Sequence, residues 1–258
     1  MTLKDKFVCL IIRNENYLRE KFPEKKWNYH SYRNMDFDNF IKTINYLNQK
    51  GIMVFNMGDN SGKKINIKNK LFFDYSSSEL KSEFLDIFLG AHCYFCLSTD
   101  TGFDQIPFIF RRPIAYITDP IGALKSFNKR SMSIFSHYYS ISEKKNFSLK
   151  QIFNEGISIF NKTSEIEEEG IDLLKPNQDE IENLVKDFIP FIDNNYTFSD
   201  EQDEIINKKF FKTFQLEVSK NTFIMSLKNR RKITKYHNNF AGSVSPSFLR
   251  SNNYIFKS

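Results

Sequence analysis

The chain has 258 residues, of which 40% are hydrophobic and 26% are charged, and its net charge is +6. This composition is ordinary for a folded globular protein and excludes disorder of the whole chain. No apolar run approaches the roughly 18 residues that a membrane-spanning helix needs, and the first residues lack the hydrophobic region of a signal peptide. We therefore expect a cytoplasmic protein whose positive charge favours anionic ligands or an anionic membrane face.

The first predicted element is the uninterrupted apolar run 7–12, which is typical of a strand covered on both faces in a parallel sheet. Arg13 ends this run, and a guanidinium at a strand end can bind a phosphate through two parallel hydrogen bonds. It can equally form an ion pair with a nearby carboxylate. Arg13 is therefore the first candidate for an anion-binding residue, with a structural ion pair as the alternative.

A polar loop follows, and it holds a second group of candidates, Tyr32, Arg33, Asn34 and Asp36. Arg33 can bind a phosphate or a carboxylate, and Tyr32 can stack on a base or a sugar. Asp36 stands directly before residues 37–47, whose apolar positions have the spacing of an amphipathic helix. Asp36 is thus either a proton acceptor in catalysis or the N-cap of this helix.

The turn after the second predicted strand contains the next candidates. The helix is expected to end at Gly51, and residues 52–55 have the pattern of a strand. Gly58 and Asp59 then follow at the strand end. Glycine lets a backbone approach closely and the carboxylate can bind sugar hydroxyls, although an ordinary turn uses the same residue types.

The segment 91–113 predicts a buried strand, a hydroxyl-rich turn and a short helix, and the next strand is expected from Ile114. A helix that starts after a strand leaves backbone N–H groups free, and such groups bind phosphate. Two carboxylates near the turn would repel phosphate unless they bind sugar hydroxyls or pair with arginines, whereas an ordinary N-capped helix needs no ligand. The candidates here are Ser98, Thr99, Asp100, Thr101, Gly102, Asp104 and Arg111.

Strands that alternate with helices predict an α/β fold with a doubly wound, mostly parallel, Rossmann-like sheet. A third strand over 71–75 and a helix opening at the serines 76–78 fit this alternation. After residue 119 the pattern weakens, helices are predicted from about 149, 176 and 200, and the tail from Ala241 resembles a loop. We therefore divide the chain into a Rossmann-like domain, 1–160, and a helical C-terminal extension, 161–258, that packs on it.

Several classes of site lack their sequence signals. The cysteines Cys9, Cys93 and Cys96 lie in or beside apolar segments, which favours buried core residues over a disulfide framework or a zinc site. The histidines have no metal-ligand spacing, and no nucleophile elbow, HExxH, phosphate loop of Walker type or GxGxxG sequence occurs. We expect no metal and no bound cofactor.

These motifs, in this order and spacing, resemble a family of glycosyltransferases from bacterial surface-polysaccharide clusters, and the match covers most of the chain. More distantly, the chain is similar to GT-B transferases, including fucosyltransferase-like enzymes with a strand-end histidine-x-arginine motif. Ile11 stands where those enzymes carry the histidine and Arg13 where they carry the arginine. The turn 100–102 is similar to the donor-phosphate turn of heptosyltransferase-like members. The matching residues are 8–13, Tyr17, 29–34, Met57, Gly58, Asp74, Tyr75, 98–102, 106–107, 111–113 and 242–249.

The resemblance implies a metal-independent glycosyltransferase that moves a sugar from a nucleotide diphosphate to a surface polysaccharide or another glycan. Residues 1–160 would then be the donor-binding half of a GT-B fold, with Arg13, Arg33 and the turn 98–102 on the diphosphate. Asp59 or Asp104 would orient the sugar, and Asp36 and Asp100 are the candidate catalytic bases. The expected partners are the nucleotide sugar, as co-substrate, and a free or lipid-linked glycan acceptor, with peripheral contact to the inner membrane and no nucleic acid.

Two alternatives stay open. Strand–helix alternation is convincing for one GT-B domain only, so the chain is alternatively a non-catalytic nucleotide-sugar or glycan-binding module, or part of a longer enzyme. A basic protein that docks on anionic membranes through its scattered lysines is the third hypothesis, although these lysines form no single amphipathic stripe.

Overall fold

The computed structural model describes residues 6–15, 19, 22–58, 65, 67–124, 128–160, 162–229 and 241–257. Two sheets organise these residues, one of seven strands and one of three. The strands are β1 Phe7–Ile11, β2 Met53–Asn56, β3 Phe72–Phe73, β4 Phe95–Ser98, β5 Ile114–Thr118, β6 Ser131–Phe135, β7 His137–Ser140, β8 Lys145–Asn146, β9 Ile171–Leu174 and β10 Ser243–Val244.

The larger sheet has the order β10-β6-β5-β4-β1-β2-β3, and each neighbouring pair in it is parallel. From β3 to β6 this is the order 3-2-1-4-5-6 of a Rossmann-like, doubly wound sheet, so the predicted α/β class is confirmed. The smaller sheet, β8-β7-β9, is antiparallel. The topology reverses between β1 and β4, which are neighbours in the sheet. From β1 the chain continues to β2 on one side of this point, and from β4 it continues to β5 on the other side.

Helices connect several of the strands and cover both faces of the larger sheet. In β1, Val8 and Leu10 belong to the hydrophobic core on one face, whereas Phe7 and Cys9 belong to the core on the other. This alternation explains why β1 is apolar throughout. The helices are α1 Ile41–Gln49, α2 Glu83–His92, α3 Gln105–Ile109, α4 Leu149–Asn154, α5 Thr163–Glu168, α6 Gln178–Asp193, α7 Glu201–Asn229 and α8 Pro246–Ser251.

Several predicted helix ends agree with the structure, and one does not. Gly51 adopts a φ of +72° directly after α1, as expected for a residue that stops a helix. Asn177 caps α6 by accepting hydrogen bonds from two backbone N–H groups of its first turn. The helix expected from 76–78 instead begins at Glu83, because Ser82 is its N-cap and residues 75–77 form a separate 3-10 turn.

The residues after 119 form regular secondary structure although their sequence pattern is weak. β6, β7 and β8 occupy 131–146, and the tail expected to be a loop supplies β10 and α8. The serines of the tail are held by Asp187, whose carboxylate accepts bonds from the Ser245 and Ser247 hydroxyls at 2.6 and 2.7 Å. The C-terminal region thus adds strands to both sheets, so the expected helical extension is not purely helical, and the boundary at residue 160 stays a prediction.

The three cysteines are confirmed as buried free thiols. Burial raises the pKa of the Cys9 and Cys96 thiols well above their ordinary value. Cys9 of β1 and Cys96 of β4 pack together with Cys93 in the hydrophobic core on one face of the sheet. These thiols are therefore packing residues of the sheet.

Candidate functional site

A cleft of about 450 Å³ opens where the topology reverses, at the carboxyl ends of β1, β2 and β4. Open α/β sheets bind their ligands at this kind of position. The loops after all three strands contribute to the cleft, and so does the start of α2, because a helix that follows a parallel strand begins at the same edge. The lining residues are Ile11, Ile12, Arg13, Asn14, Met57, Gly58, Lys81, Asp86, Thr101, Gly102 and Phe103.

Arg13 stands at the centre of this cleft with its backbone fixed on both sides. Its N–H donates to the Thr99 hydroxyl at 2.7 Å, and its carbonyl oxygen accepts from the Met35 N–H at 3.2 Å. The guanidinium Nε is buried and has no hydrogen-bond partner in the described part of the chain. No carboxylate among the described residues lies within 4.0 Å of this guanidinium, so the structural ion pair considered for Arg13 is not formed with any of them.

A second arginine, on the loop before α1, interacts with the charge of Arg13 but is not among the residues that line the cleft. Arg33 ends the 3-10 turn Asn28–Arg33 and donates to the carbonyl oxygen of Asp100, and its guanidinium lies 3.6 Å from the Asp100 carboxylate. Its Nε is likewise buried without a partner among the described residues. Burial and the neighbouring positive charge of Arg33 lower the pKa of Arg13, which indicates that the two guanidinium groups share one environment.

The balance of charge at this edge is positive. Two guanidinium groups are close enough to repel each other, and the Asp100 carboxylate beside them neutralises one positive charge. A partly buried surplus of positive charge with uncommitted N–H donors is stabilised by an anion, and a phosphate group has the geometry that guanidinium prefers. The arrangement therefore fits an oxyanion at the mouth of the cleft.

Asp100 itself has an unusual backbone. Its φ is +60°, in the left-handed region that few residues other than glycine adopt, although aspartate and asparagine tolerate it better than most. This conformation turns the Asp100 carbonyl and carboxylate toward Arg33. Strained backbone of this kind is concentrated at functional sites.

No family model, curated protein or solved structure matches this chain. No group of three or more His, Cys, Asp or Glu side chains is arranged to hold a metal ion within the described ranges. None of the helices described here is both long enough and apolar enough to cross a membrane.

The turn after β4 is held by its own side chains rather than left open for phosphate. The buried Asp104 carboxylate accepts bonds from the Ser98 hydroxyl and the Thr101 N–H, both at 3.0 Å. The N–H groups of Thr99 and Asp100 bond to the Ile11 carbonyl and to the Ser98 hydroxyl. The expectation of free N–H groups is therefore corrected for Thr99, Asp100 and Thr101, whose N–H groups are bonded within the protein, whereas the buried Thr101 hydroxyl has no partner among the described residues.

The candidates within this turn consequently divide into two groups. Ser98, Thr99 and Asp104 are buried and bonded inside the protein, so they support the cleft without reaching a ligand in it. Thr101 and Gly102 do line the cleft. A Cβ added to Gly102 would meet no atom within 4 Å, so the space beside it is open.

The structure gives Gly58 a structural role. A Cβ at this position would lie 3.0 Å from the Ile12 carbonyl oxygen and 3.3 Å from its nitrogen, so glycine lets the loops after β1 and β2 pack closely together. Gly58 still lines the cleft. Its neighbour Asp59 lies outside the described residues, as does Tyr17.

The loop before α1 holds three further candidates, and of these Asp36 has one of the two roles considered for it. Tyr32 is 9% exposed, packs in the core and does not line the cleft, so it is not placed to stack on a base there. Asn34 has a buried Oδ1 without a partner among the described residues. Asp36 is exposed and its carboxylate accepts the Asp38 N–H at 3.3 Å, which corresponds to the capping role considered for it.

Arg111 lies at the wrong edge of the sheet. It follows α3 and precedes β5, so it comes to the amino ends of the strands, whereas the cleft lies at their carboxyl ends. The adjacent Arg112 lies at the same amino-end edge, because it donates a hydrogen bond at 2.5 Å to the carbonyl oxygen of Cys93, just before β4. The prediction that Arg111 binds a donor is therefore wrong for topological reasons.

A second polar cluster at the same edge is absent from the sequence predictions. Asp119 follows β5, Ser136 follows β6, and Lys175 follows β9. The Asp119 carboxylate accepts from Lys175 at 2.5 Å and from the Ser136 hydroxyl at 2.7 Å. An acidic residue directly after an apolar strand was the available signal for Asp119, but nothing local identifies its lysine partner 56 residues away.

Proposed function

We propose that the chain binds the diphosphate of a nucleotide sugar with Arg13 and Arg33 and acts as a glycosyltransferase of GT-B type. The observation that carries this proposal is the pair of neighbouring guanidinium groups, each with a buried N–H that no described residue accepts, at the reversal point of the sheet. The sequence resemblance to polysaccharide glycosyltransferases supplies the reaction class.

The cleft suits such a ligand in size and in lining. Its volume of about 450 Å³ is within the range of small-molecule sites, roughly 300–1,000 Å³. Ile12, Met57 and Phe103 provide apolar walls. Arg13 and Lys81 provide two positive charges against the one carboxylate of Asp86. A nucleotide sugar combines a planar base, whose faces can pack on apolar side chains, with a negatively charged diphosphate.

In the proposed reaction the bond between the anomeric carbon and the diphosphate oxygen breaks, and an acceptor hydroxyl oxygen takes its place on that carbon. The electron pair of the broken bond stays on the nucleotide diphosphate, whose growing charge Arg13 and Arg33 stabilise. The proton of the acceptor hydroxyl passes to a base. Of the two candidates, Asp100 has its carboxylate 3.6 Å from the Arg33 guanidinium.

A non-catalytic nucleotide-sugar-binding module is the second candidate function. The observation that favours it is the place of the two proposed bases. Asp36 is engaged at a helix start and Asp100 faces Arg33, and neither lines the cleft. Binding without turnover needs the arginines but needs neither carboxylate.

Thermal denaturation with UDP-, GDP-, CMP-, ADP- and dTDP-sugars tests the binding step. We expect at least one of these to raise the melting temperature, because a ligand that binds only the folded state stabilises it. Arg13→Ala should lower the affinity about 10- to 100-fold, since hydrogen bonds to charged groups contribute roughly 1.5–3 kcal/mol. Arg111→Ala at the opposite edge is the matched control and should bind as the natural sequence does.

Two results would overturn the proposal. Absence of stabilisation by every nucleotide sugar removes the donor site altogether. Equal losses for Arg13→Ala and Arg111→Ala would mean that binding is a general charge effect. Release of nucleotide diphosphate from the donor that binds, in the presence of a glycan acceptor and with Asp100→Asn as the comparison, separates the enzyme from the binding module.

A further inference from the structure

Arg33 lies on a segment that forms no strand of the main sheet. The 3-10 turn Asn28–Arg33 has a non-helical residue, His30, inside it and makes no strand pairing. A short irregular turn cannot by itself keep a long arginine side chain in place. The contacts that fix this turn instead come from the C-terminal half of the chain, from α5 and from the residue after β9.

Thr163 is the first residue of α5, and its single hydroxyl contacts three residues of the turn. Its oxygen accepts the Tyr32 N–H at 3.2 Å, lies 2.9 Å from the Ser31 hydroxyl, and donates to the Asn28 carbonyl at 3.1 Å. A hydroxyl has one donor and two acceptor positions, so these contacts use its whole capacity. The turn is thus bound along its length to a residue more than 130 positions later in the chain.

Lys175 binds the carbonyl oxygen of Tyr32, the residue whose N–H is bound by Thr163. Its ammonium group donates to the Tyr32 carbonyl oxygen, to the Asp119 carboxylate at 2.5 Å and to the Ser136 hydroxyl at 3.3 Å. All three ammonium protons therefore have acceptors. Because Asp119 and Ser136 follow strands of the main sheet, the lysine connects the turn to the sheet edge.

We infer that Thr163 and Lys175 are positioning residues for Arg33 in the anion site. This inference rests on the proposed function. Between them they bind both the N–H and the carbonyl of Tyr32, and the Tyr32 carbonyl belongs to the peptide bond that leads into Arg33. The direction of the Arg33 side chain toward Asp100 is then set before a ligand arrives, and such preorganisation strengthens binding.

Titration with inorganic pyrophosphate, by calorimetry on the full chain, tests this inference. Thr163→Val removes the hydroxyl at nearly constant volume and should weaken pyrophosphate binding about five- to tenfold, the effect of roughly one hydrogen bond. Thr163→Ser keeps the hydroxyl and should restore most of the affinity. Thr213→Val is the matched control, because its hydroxyl bonds only within exposed helix α7, to the Lys209 carbonyl.

The decisive measurement combines each change with Arg33→Ala. If Thr163 acts through Arg33, then Thr163→Val causes no further loss of affinity once Arg33 is alanine. A purely structural role would weaken binding by the same factor in both backgrounds. Lys175→Met should likewise cause no further loss of affinity once Arg33 is alanine. Removal of the lysine leaves buried Asp119 without its partner, and if this prevents folding, the Thr163 variants alone test the positioning role.

The outcomes separate this inference from the function on which it rests. Binding that depends on Arg13 and Arg33 but is unchanged in Thr163→Val overturns the positioning role alone. Equal losses with and without Arg33 overturn it as well. If the natural sequence binds neither pyrophosphate nor any nucleotide sugar, the proposed function and the positioning role are both wrong.

Discussion

Two clusters of buried charge lie at the same edge of the sheet, and they differ in how their charges are paired. At the ends of β5 and β6, Asp119, Ser136 and Lys175 form a set in which the acid has a base and each ammonium proton has an acceptor. At the ends of β1 and β4, Arg13 and Arg33 have one carboxylate between them and two buried N–H groups without described partners.

The difference separates structure from function at this edge. A buried charge that is fully paired within the protein is costly to disturb and has nothing left to offer a ligand. A buried charge that is incompletely paired reduces stability unless something else binds it. The first cluster therefore holds the fold together, and the second is the place where we expect an anion.

The largest effect should come from breaking the paired cluster. Asp119→Ala leaves the Lys175 ammonium buried without its carboxylate, and loss of one partner of a buried pair costs about 3–5 kcal/mol of unfolding free energy. Urea denaturation measures this loss. Asp179→Ala removes a carboxylate that pairs with Lys42 at the surface and should cost below about 1 kcal/mol. Similar losses for the two variants would contradict the contrast.

Tyr32, which lies between the clusters, should make the fold sensitive to alkali. Burial raises the pKa of Tyr32 from 10.0 to about 12. The unfolded chain releases this proton at the lower pH and the folded chain only at the higher one, so stability that is complete below pH 10.0 falls between pH 10.0 and about 12. The fall due to this residue should be about 2–3 kcal/mol.

Tyr32→Phe tests this by removing the ionisable group. The variant should lose about 2–3 kcal/mol less than the natural sequence when unfolding is measured across that pH range. Tyr29→Phe, at a tyrosine that is 45% exposed, controls for the removal of a phenol as such. Parallel stability curves for Tyr32→Phe and the natural sequence would show that this phenol does not contribute.

A smaller effect is expected in the turn that supports the cleft. Ser98→Ala removes the hydroxyl that bonds to both the Asp104 carboxylate and the Asp100 N–H, so it should lower the unfolding free energy by about 1–2 kcal/mol. Ser77→Ala, which removes an exposed hydroxyl bonded to Asp74, should cost less than about 0.5 kcal/mol. An unchanged Ser98→Ala would mean that the turn does not depend on this network.

The smallest effect on stability should accompany the largest effect on binding. Arg13→Met keeps much of the apolar stem and removes a charge that Arg33 repels, so the unfolding free energy should change by no more than about 0.5 kcal/mol. Lys208→Met on the exposed face of α7 is the comparison for charge removal. A loss for Arg13→Met as large as that for Asp119→Ala would assign Arg13 to the structural cluster.

The sequence predicted the part of the site that follows directly from strand ends. Arg13 comes after an apolar run that could only be a buried strand, and the turn after β4 comes after another, so parallel pairing brings both to one edge. Lys81 and Asp86 were missed, although the same reasoning applies to the start of α2. Arg111 was misassigned because a helix lies between it and the turn and carries it to the other edge.

The sequence by itself determined the α/β class, the central strands and the position of Arg13, because these depend on local apolar patterns and on their spacing. Only the tertiary structure decided which charged groups are paired. Lys175 meets Asp119 across 56 residues and Thr163 meets Tyr32 across 131, and no local pattern encodes such contacts. The pairing of Asp119, Ser136 and Lys175 depends on how β5, β6 and β9 are arranged, and β6 and β9 lie in the part of the chain whose sequence pattern is weak.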